Sequence, residues 1–339
     1  MVKTKIEWIS TFRKVGDSIL VELSKTKKSK NDKASEINKR IKDFRDGEIA
    51  SINIIAKRDA WDNQSLLNEI LLLTYASYIV RTLYPGITVD DMRKMSEGFN
   101  EAVIGQPHVM KQSLASIYAL RNSERKRPVT LLFLGDSGIG KTETAKYISS
   151  CLGTDMVRVQ FSMQQTNSAY QYIFGADHGE DSLARELIRR NSNVILLDEF
   201  DKVSPSFYNA FYQMFDEGTF VDANYSVDVS KCIIICTTNY RTEEEAEKYL
   251  GTPIYSRFSK VITFNPISVD DKLTIARKCY KGLMAQVDAE DKGLIENNTV
   301  LTFFERVIKQ GAYPNMRMLR NDIEDAINFE ILKARGIIK

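Results

Sequence analysis

The sequence is poor in the residue types that build metal centres, disulfide frameworks and membrane spans. It has 2 histidines, 4 cysteines and 2 tryptophans in 339 residues. Cys232 and Cys236 lie in one apolar stretch, so we expect buried free thiols in a reducing cytoplasm and no zinc site. The most apolar stretch runs from Ile70 to Val80, which is too short to cross a bilayer, and early charged residues argue against a signal peptide. The composition therefore predicts a cytoplasmic protein without a membrane span.

The chain also lacks a strong net charge. The formal net charge is +2, which is not typical of a nucleic-acid-binding protein. The excess of positive charge is confined to residues 1–58, where the segment 24–33 is polar and rich in lysine. We interpret this segment as an exposed, solvated loop; contact with a nucleic acid is the alternative that its charge leaves open.

The periodicity of apolar residues divides the chain into three regions. Residues 1–97 are predicted to be a mostly helical N-terminal region, with helices near 6–19 and 64–83. Residues 98–267 alternate strands and helices, and residues 268–339 are helical again. The strand candidates are Val129–Leu134, Val157–Phe161, Val194–Leu197, Lys231–Cys236 and Lys260–Phe264. Near-continuous apolar strands of this kind are typical of a parallel sheet covered by helices on both faces, which is an α/β fold.

A glycine-rich loop between the first of these strands and a helix is the strongest functional signal. Residues 135–142 read GDSGIGKT and fit the phosphate-binding pattern G-x-x-x-x-G-K-[S/T]. Such a loop turns backbone N–H groups toward a triphosphate, while Lys141 neutralises phosphates and the Thr142 hydroxyl binds Mg²⁺. The predicted nucleotide-binding residues of the loop and its helix are Gly135, Ser137, Gly138, Ile139, Gly140, Lys141, Thr142 and Glu143.

Two carboxylates end a second apolar strand, at residues 194–199. Asp198 is the predicted Mg²⁺ ligand together with Thr142, and Glu199 is predicted to polarise the water that attacks the γ-phosphate. A strand that ends in Asp-Glu is a weak pattern by itself, but the preceding phosphate-binding loop makes it specific. Together the two motifs predict an enzyme that hydrolyses ATP with Mg²⁺ as cofactor.

Several further segments, in order, resemble the motifs of the AAA+ ATPases, and most closely those of the second ATPase module of the Clp unfoldases. Besides the two motifs above, the segments that resemble the family are Val103–Gln106, Phe215–Gly218, Thr237–Asn239, Pro253–Arg257 and Asn315–Arg320. The resemblance covers about residues 98–339. It implies a three-layer αβα P-loop domain with a parallel sheet at 98–267 and a small helical lid domain at 268–339.

The resemblance also implies roles for single residues. Ile104 is expected to contact adenine, and Asn239, as the first sensor, to face the γ-phosphate. Arg257 corresponds to an arginine finger that reaches the nucleotide of a neighbouring subunit, which requires oligomerisation. Arg317 corresponds to the second sensor on the lid, although the segment Gly311–Tyr313 offers another register with tyrosine in place of arginine.

One segment departs from the pattern of the Clp unfoldases, which move a polypeptide through a pore with an aromatic residue on a loop. The corresponding segment, Phe174–Ser182, is short and acidic and has no aromatic residue at its tip. Tyr170, Tyr172 and Phe174 lie upstream and could substitute for it, although packing is the simpler role. In the expected second pore loop, 222–225, Tyr225 is a candidate contact.

The expected partners follow from these features. The first hypothesis is a homo-oligomer, expected to be a hexameric ring, that remodels a protein client recognised by residues 1–97. The second is a ring or filament that switches a partner subunit with little threading. A nucleic-acid motor is the third and rests on the lysine-rich segment alone; the acidic pore candidate argues against it, since like charges repel.

Overall fold

The structure is a computed structural model that describes residues 87–122, 124–163, 168–175, 181–190, 192–295 and 299–338. The helices predicted near 6–19 and 64–83 and the lysine-rich segment lie outside the described residues, and so do residues 176–180 of the expected pore loop. No helix among the described residues is long and apolar enough to span a membrane.

A five-stranded parallel sheet forms the centre of the fold. Its strands are β1 (Val129–Leu134), β2 (Val157–Gln160), β3 (Val194–Asp198), β6 (Ile233–Thr237) and β7 (Lys260–Thr263), in the order β2-β3-β6-β1-β7. A short antiparallel hairpin, β4 (Thr219–Val221) with β5 (Ser226–Asp228), stands apart from the sheet. Because β6 lies between β1 and β3, the residues that follow these three strands meet at one edge of the sheet.

Helices cover both faces of the sheet and form the C-terminal part. Those of the first part are α1 (Val89–Ala102), α2 (Pro107–Ile117), α3 (Lys141–Cys151), α4 (Ser168–Phe174), α5 (Leu183–Arg189), α6 (Asn209–Asp216), α7 (Glu243–Leu250) and α8 (Thr252–Tyr255). Those of the C-terminal part are α9 (Val269–Gln286), α10 (Ala289–Lys292), α11 (Thr299–Lys309) and α12 (Met316–Ala334). The predicted strands agree with the observed bounds to within a few residues, and residues 268–339 are helical as predicted.

The strand sequences explain the layers. Alternate residues of β1 point to opposite faces: Leu131 and Phe133 pack into one buried cluster, and Leu132 and Leu134 into the other. Every residue of β1, β3 and β6 is buried, as expected of strands covered on both sides. Burying one such side chain contributes about 1.5–3 kcal/mol to folding. The predicted three-layer αβα fold is therefore confirmed.

The C-terminal helices have a separate apolar core. Leu273, Tyr280, Phe304, Leu319 and Ile323 pack together between α9, α11 and α12. Ser268 caps α9, since its hydroxyl accepts a hydrogen bond from the N–H of Asp271 at 3.1 Å. The predicted lid therefore begins where the polypeptide leaves the sheet, although the division of the chain into domains remains a prediction.

Helix α1 runs through residue 97, where we divided the sequence. Thr88 and Asp91 form a capping box that starts α1 well before this position. Its Phe99 meets the ring of Tyr147 on α3 edge-on, and the Tyr147 hydroxyl donates to the carbonyl of Lys94 at 2.8 Å. Residues 89–97 thus pack on α3 through a tertiary contact that periodicity alone does not reveal.

Candidate nucleotide site

The glycine-rich loop between β1 and α3 has the backbone geometry of an anion cradle. Gly135, Gly138 and Gly140 have φ angles of 131°, 81° and 108°, in a region that residues with a side chain rarely adopt. Gly140 is the N-cap of α3 and has no side chain to satisfy the first N–H groups of the helix. These N–H groups, with the positive end of the helix dipole behind them, are available to phosphate oxygens.

Lys141 is folded back on this loop. Its Nζ atom donates to the carbonyl oxygens of Gly135 and of Asp136, the latter at 2.6 Å. Burial lowers the pKa of Lys141 to about 8, and nearby carboxylates, with Asp136 first among them, oppose that shift. Phosphate oxygens are stronger acceptors than these carbonyls, so the ammonium can exchange the loop for a triphosphate.

Asp198 ends β3 and is nearly inaccessible to solvent. Its Oδ1 atom accepts a hydrogen bond of 2.5 Å from the Thr237 hydroxyl. Its Oδ2 atom accepts from Nε and Nη2 of Arg158, on the adjacent strand β2, at 3.0 and 2.6 Å. A metal ion that used this carboxylate would therefore compete with the guanidinium of Arg158.

Glu199 adopts a strained backbone conformation directly after Asp198. Its φ and ψ angles are 56° and 46°, in the left-handed region, which costs a residue with a side chain about 1–3 kcal/mol. Its N–H donates to the Thr237 hydroxyl at 3.0 Å. One hydroxyl at the end of β6 thus holds the carboxylate of Asp198 and the backbone of Glu199.

The segment that follows β6 is tied to the glycine-rich loop. Asn239 is exposed at this edge, as a residue that faces a phosphate would be. The carbonyl of Tyr240 accepts from the N–H of Gly135 at 2.7 Å. Next to Asn239, the hydroxyl of Thr238 is buried and has no hydrogen-bond partner within the described segments. An unsatisfied buried hydroxyl at this edge fits a site that still has a polar ligand to receive.

A cavity of about 410 Å³ lies on the other side of the loop, between the sheet domain and the lid. Ile104, Ile139 and Ile267 provide apolar walls suited to a flat base. Other lining residues are Val103, Gly138, Gly140, Glu143, Cys279, Met316 and Arg320. Gln106 fixes these walls, because its side-chain nitrogen donates to the carbonyls of Ile139 and Asn265 at 3.4 and 2.7 Å.

Two arginines of α12 differ in their position relative to this cavity. Arg320 lines the cavity, whereas the side chain of Arg317 is exposed and does not line it. The backbone N–H of Arg317 donates to Oδ1 of Asn315, which caps α12 and lies over Gly138 of the glycine-rich loop. The second-sensor role of Arg317 remains a prediction, and Arg320, one turn further along α12, is the arginine that this arrangement brings to the cavity.

Arg257 is held by its own chain. Its Nε donates to Asp216 at 2.7 Å, and its guanidinium lies 4.2 Å from the ring centre of Tyr212. The carbonyl of Pro253 accepts a further hydrogen bond from Nη1. None of these partners belongs to the nucleotide site of the same chain, so the structure leaves the predicted contact with a neighbouring subunit untested.

The loops at the expected pore differ from the sequence-based expectation in one respect. Tyr225 is buried, with a relative exposure of 7%, and lies beside Arg185, so it is not the surface contact that we expected. Tyr170, in contrast, is 57% exposed and its ring lies 4.7 Å from that of Phe174 and 6.2 Å from that of Phe207. The aromatic surface near this loop is therefore upstream of it.

Most of the predicted site residues meet at two neighbouring places. Gly135, Lys141, Asp198, Glu199 and Asn239 lie at the carboxyl edge of the sheet, whereas Ile104, Gly138, Ile139, Gly140 and Glu143 line the cavity. The half-buried Thr142 occupies the second position of α3, and Ser137 lies within the loop. The sequence assigned no role to Arg158, nor to Gln106, Thr237 and Arg320, which lie inside the quoted motif segments. Their contacts join segments far apart in the chain, so the motifs alone do not show them.

Comparison with known proteins agrees with this geometry. Residues 126–290 match the family described as AAA domain (Cdc48 subfamily). The chaperone protein ClpB of Rickettsia felis is 26% identical over 328 residues, which cover 82% of this chain and 37% of ClpB. ClpB of Malacoplasma penetrans is 29% identical over 280 residues, and the match covers 72% of this chain and 38% of that ClpB. This chain thus spans less than half the length of these relatives.

A solved structure, the S. cerevisiae Hsp104-ADP complex, has the same fold. It superimposes with a TM-score of 0.58 at 21% identity and covers 80% of this chain and 53% of Hsp104. The family match, the ClpB relatives and this likeness of fold lead to one assignment. Residues 126–290 are an AAA+ ATPase domain that resembles the ATPase modules of the Clp unfoldases.

Proposed function

We propose that this protein binds ATP with its base in the cavity under the lid, hydrolyses it at an interface between copies of the chain, and thereby remodels or switches a protein partner. The observation that carries the proposal is the meeting of the glycine-rich loop, Asp198 and Glu199 at one sheet edge, next to a cavity closed by the lid. A ligand that spans both places must have a base at one end and phosphates at the other.

In this proposal, each residue of the nucleotide site has its own role. Lys141 and the N–H groups at the start of α3 bind the phosphates, while Thr142 and Asp198 would hold Mg²⁺. Mg²⁺, when bound, neutralises charge on the β- and γ-phosphates. Glu199 accepts a proton from the attacking water, and Asn239 orients that water or the γ-phosphate. The Thr237 hydroxyl keeps Asp198 and Glu199 in place through its 2.5 and 3.0 Å hydrogen bonds.

The proposal of an interface between copies is based on Arg257. The Arg257 side chain is only partly exposed and is held by Asp216, on the helix that precedes the β4–β5 hairpin. Release of this pair in an oligomer would free a guanidinium for the nucleotide of the adjacent copy, where it offsets charge on the γ-phosphate. We therefore propose a homo-oligomer, expected to be a hexameric ring.

The experiment is a comparison of wild type with Glu199→Gln. The amide cannot accept a proton from water, so we expect ATP binding to persist and turnover to disappear. Arg257→Ala should bind ATP in each subunit and lose turnover in the assembly, by about 10³–10⁵-fold if the finger acts as in other arginine-finger ATPases. Wild-type phosphate release by Glu199→Gln would refute the role of Glu199, and unchanged activity of Arg257→Ala would refute the action of Arg257 across an interface between copies.

A second function, a nucleotide-dependent assembly without threading, is favoured by the burial of Tyr225. Without this ring at the surface, the second expected pore loop offers no aromatic contact to a client. Among the residues that the structure describes, Tyr170 is an exposed aromatic residue near the first loop. Unfolding of a tagged test protein that is lost in Tyr170→Ala would favour remodelling by threading; ATP-dependent assembly without any unfolding would favour the second function.

A further inference from the structure

Besides the buried Lys141, the nucleotide site has an exposed cation, Arg241, that no motif accounts for. Nε of Arg241 donates to Oδ1 of Asp136 at 2.7 Å, which joins the segment after β6 to the glycine-rich loop. The Arg241 side chain is 74% exposed. Its two terminal NH₂ groups have no hydrogen-bond partner among the residues that the structure describes. A guanidinium has five N–H donors, so most of its capacity is left for another acceptor.

The backbone on both sides of this contact is fixed. The N–H of Gly135 donates to the carbonyl of Tyr240 at 2.7 Å, and the N–H of Arg241 donates to Oε2 of Glu245 at 2.7 Å. Glu245 belongs to α7, whose first turn is capped by the Thr242 hydroxyl. Arg241 therefore starts from a rigid position, which reduces the entropy lost when its side chain binds a ligand.

The position of Arg241 corresponds to the terminal phosphate and not to the base. The base cavity is lined by residues 138–140 of the loop, and neither Asp136 nor Arg241 lines it. The Asp136–Arg241 contact lies instead at the carboxyl end of β6, two residues after Asn239 in the chain. The carbonyl of Asp136 also accepts from Nζ of Lys141, so two cations contact one loop residue.

The charge balance at this end supports an anion as the missing partner. Asp136 places a carboxylate on a loop that has to receive a triphosphate, and a like charge there would repel the phosphates. Arg241 neutralises this carboxylate through one nitrogen and keeps its NH₂ groups available. A guanidinium fork of this kind matches the geometry of phosphate oxygens.

We propose that Arg241 binds the γ-phosphate of ATP in its own subunit and makes the site prefer ATP over ADP. This inference rests on the proposed function, because it requires that a nucleoside triphosphate occupies the site. In the ATP-bound site, Nε of Arg241 stays with Asp136 while the NH₂ groups donate to γ-phosphate oxygens. ADP has no phosphate at this position, so Arg241 remains with Asp136 alone when ADP is bound.

The test measures affinities without turnover. The full chain is titrated with ADP and with AMP-PNP, an ATP analogue that is not hydrolysed, by displacement of a fluorescent nucleotide. The variants are Arg241→Gln and the double variant Asp136→Asn/Arg241→Gln. The control is Arg93→Gln, which removes an exposed arginine from an ion pair of the same length, 2.7 Å to Asp90, on α1.

We expect Arg241→Gln to reduce the preference for AMP-PNP over ADP by roughly 10-fold or more, the effect of losing a hydrogen bond from a charged group. The double variant removes the repulsive carboxylate, so it should bind ADP within about twofold of wild type and still lack the preference. Arg93→Gln should leave both affinities unchanged.

The outcomes separate this inference from the proposed function. A double variant with the wild-type preference would overturn the inference, because Arg241 would then only neutralise Asp136. An unchanged preference in Arg241→Gln would overturn it as well. A wild-type chain that binds neither nucleotide would contradict the proposed function itself. Arg241→Lys, which keeps the charge but not the fork, should show an intermediate preference and tests the same contact in a second variant.

Discussion

The hydroxyl of Thr237 joins the carboxylate of Asp198 to the backbone N–H of Glu199, and its removal is the sharpest test of the geometry. Valine has nearly the same shape as threonine, so Thr237→Val removes the hydroxyl without opening a cavity. The side chain is 2% exposed, which keeps water from replacing the lost partner. The variant therefore loses the 2.5 Å hydrogen bond to Asp198 and the 3.0 Å hydrogen bond from Glu199.

The magnitude follows from these two contacts. A hydrogen bond to a charged group contributes about 1.5–3 kcal/mol and a neutral one about 1 kcal/mol. We therefore expect Thr237→Val to lower the free energy of unfolding by about 2–4 kcal/mol. Thr237→Ser keeps the hydroxyl and loses one buried methyl group, which costs about 1 kcal/mol. The comparison of valine with serine thus isolates the hydroxyl.

The assay is urea unfolding followed by far-ultraviolet circular dichroism, which measures the loss of helices and strands. Phosphate release provides a second measurement. Loss of the hydroxyl misplaces Asp198 and Glu199, so we expect turnover of Thr237→Val to fall by about 10- to 100-fold and that of Thr237→Ser to fall much less. A valine variant as stable and as active as the serine variant would refute the reasoning.

Two further predictions concern the glycine-rich loop. Because burial lowers the pKa of Lys141 from 10.5 to about 8, ATP affinity should fall about tenfold from pH 7 to pH 9 if the bound lysine stays charged, and this dependence should vanish in Lys141→Ala. The lowered pKa has the opposite effect on folding stability. Between pH 8 and 10.5 Lys141 binds more protons in the unfolded chain than in the folded chain, so its contribution to stability rises with pH. Unfolding measured at several pH values would reveal this rise. Gly138→Ala would place a Cβ atom 2.2 Å from Oδ1 of Asn315 at a φ of +81°, so it should weaken ATP binding by displacing the lid. Gly153→Ala is the matched control, since its φ is +69° with no atom within 4 Å; equal nucleotide affinities in the two variants would contradict the contact between loop and lid.

The sequence alone determined the parts of this protein that depend on neighbours in the chain. The phosphate-binding loop is readable because its glycines, lysine and threonine are consecutive and follow an apolar strand. The carboxylates at Asp198 and Glu199 are readable for the same reason. Apolar runs such as Val129–Leu134 predicted strands close to those observed, because a strand buried on both faces needs apolar side chains throughout.

Only the tertiary structure decided which distant residues meet. Arg158 and Thr237 reach Asp198 because β2, β3 and β6 are neighbours in the sheet, and strand order is set by packing across the whole domain. Arg320 reaches the cavity because the cap of α12 lies on the glycine-rich loop and fixes the rotation of the helix. Contacts of this kind depend on three-dimensional packing, and no pattern of adjacent residues encodes them.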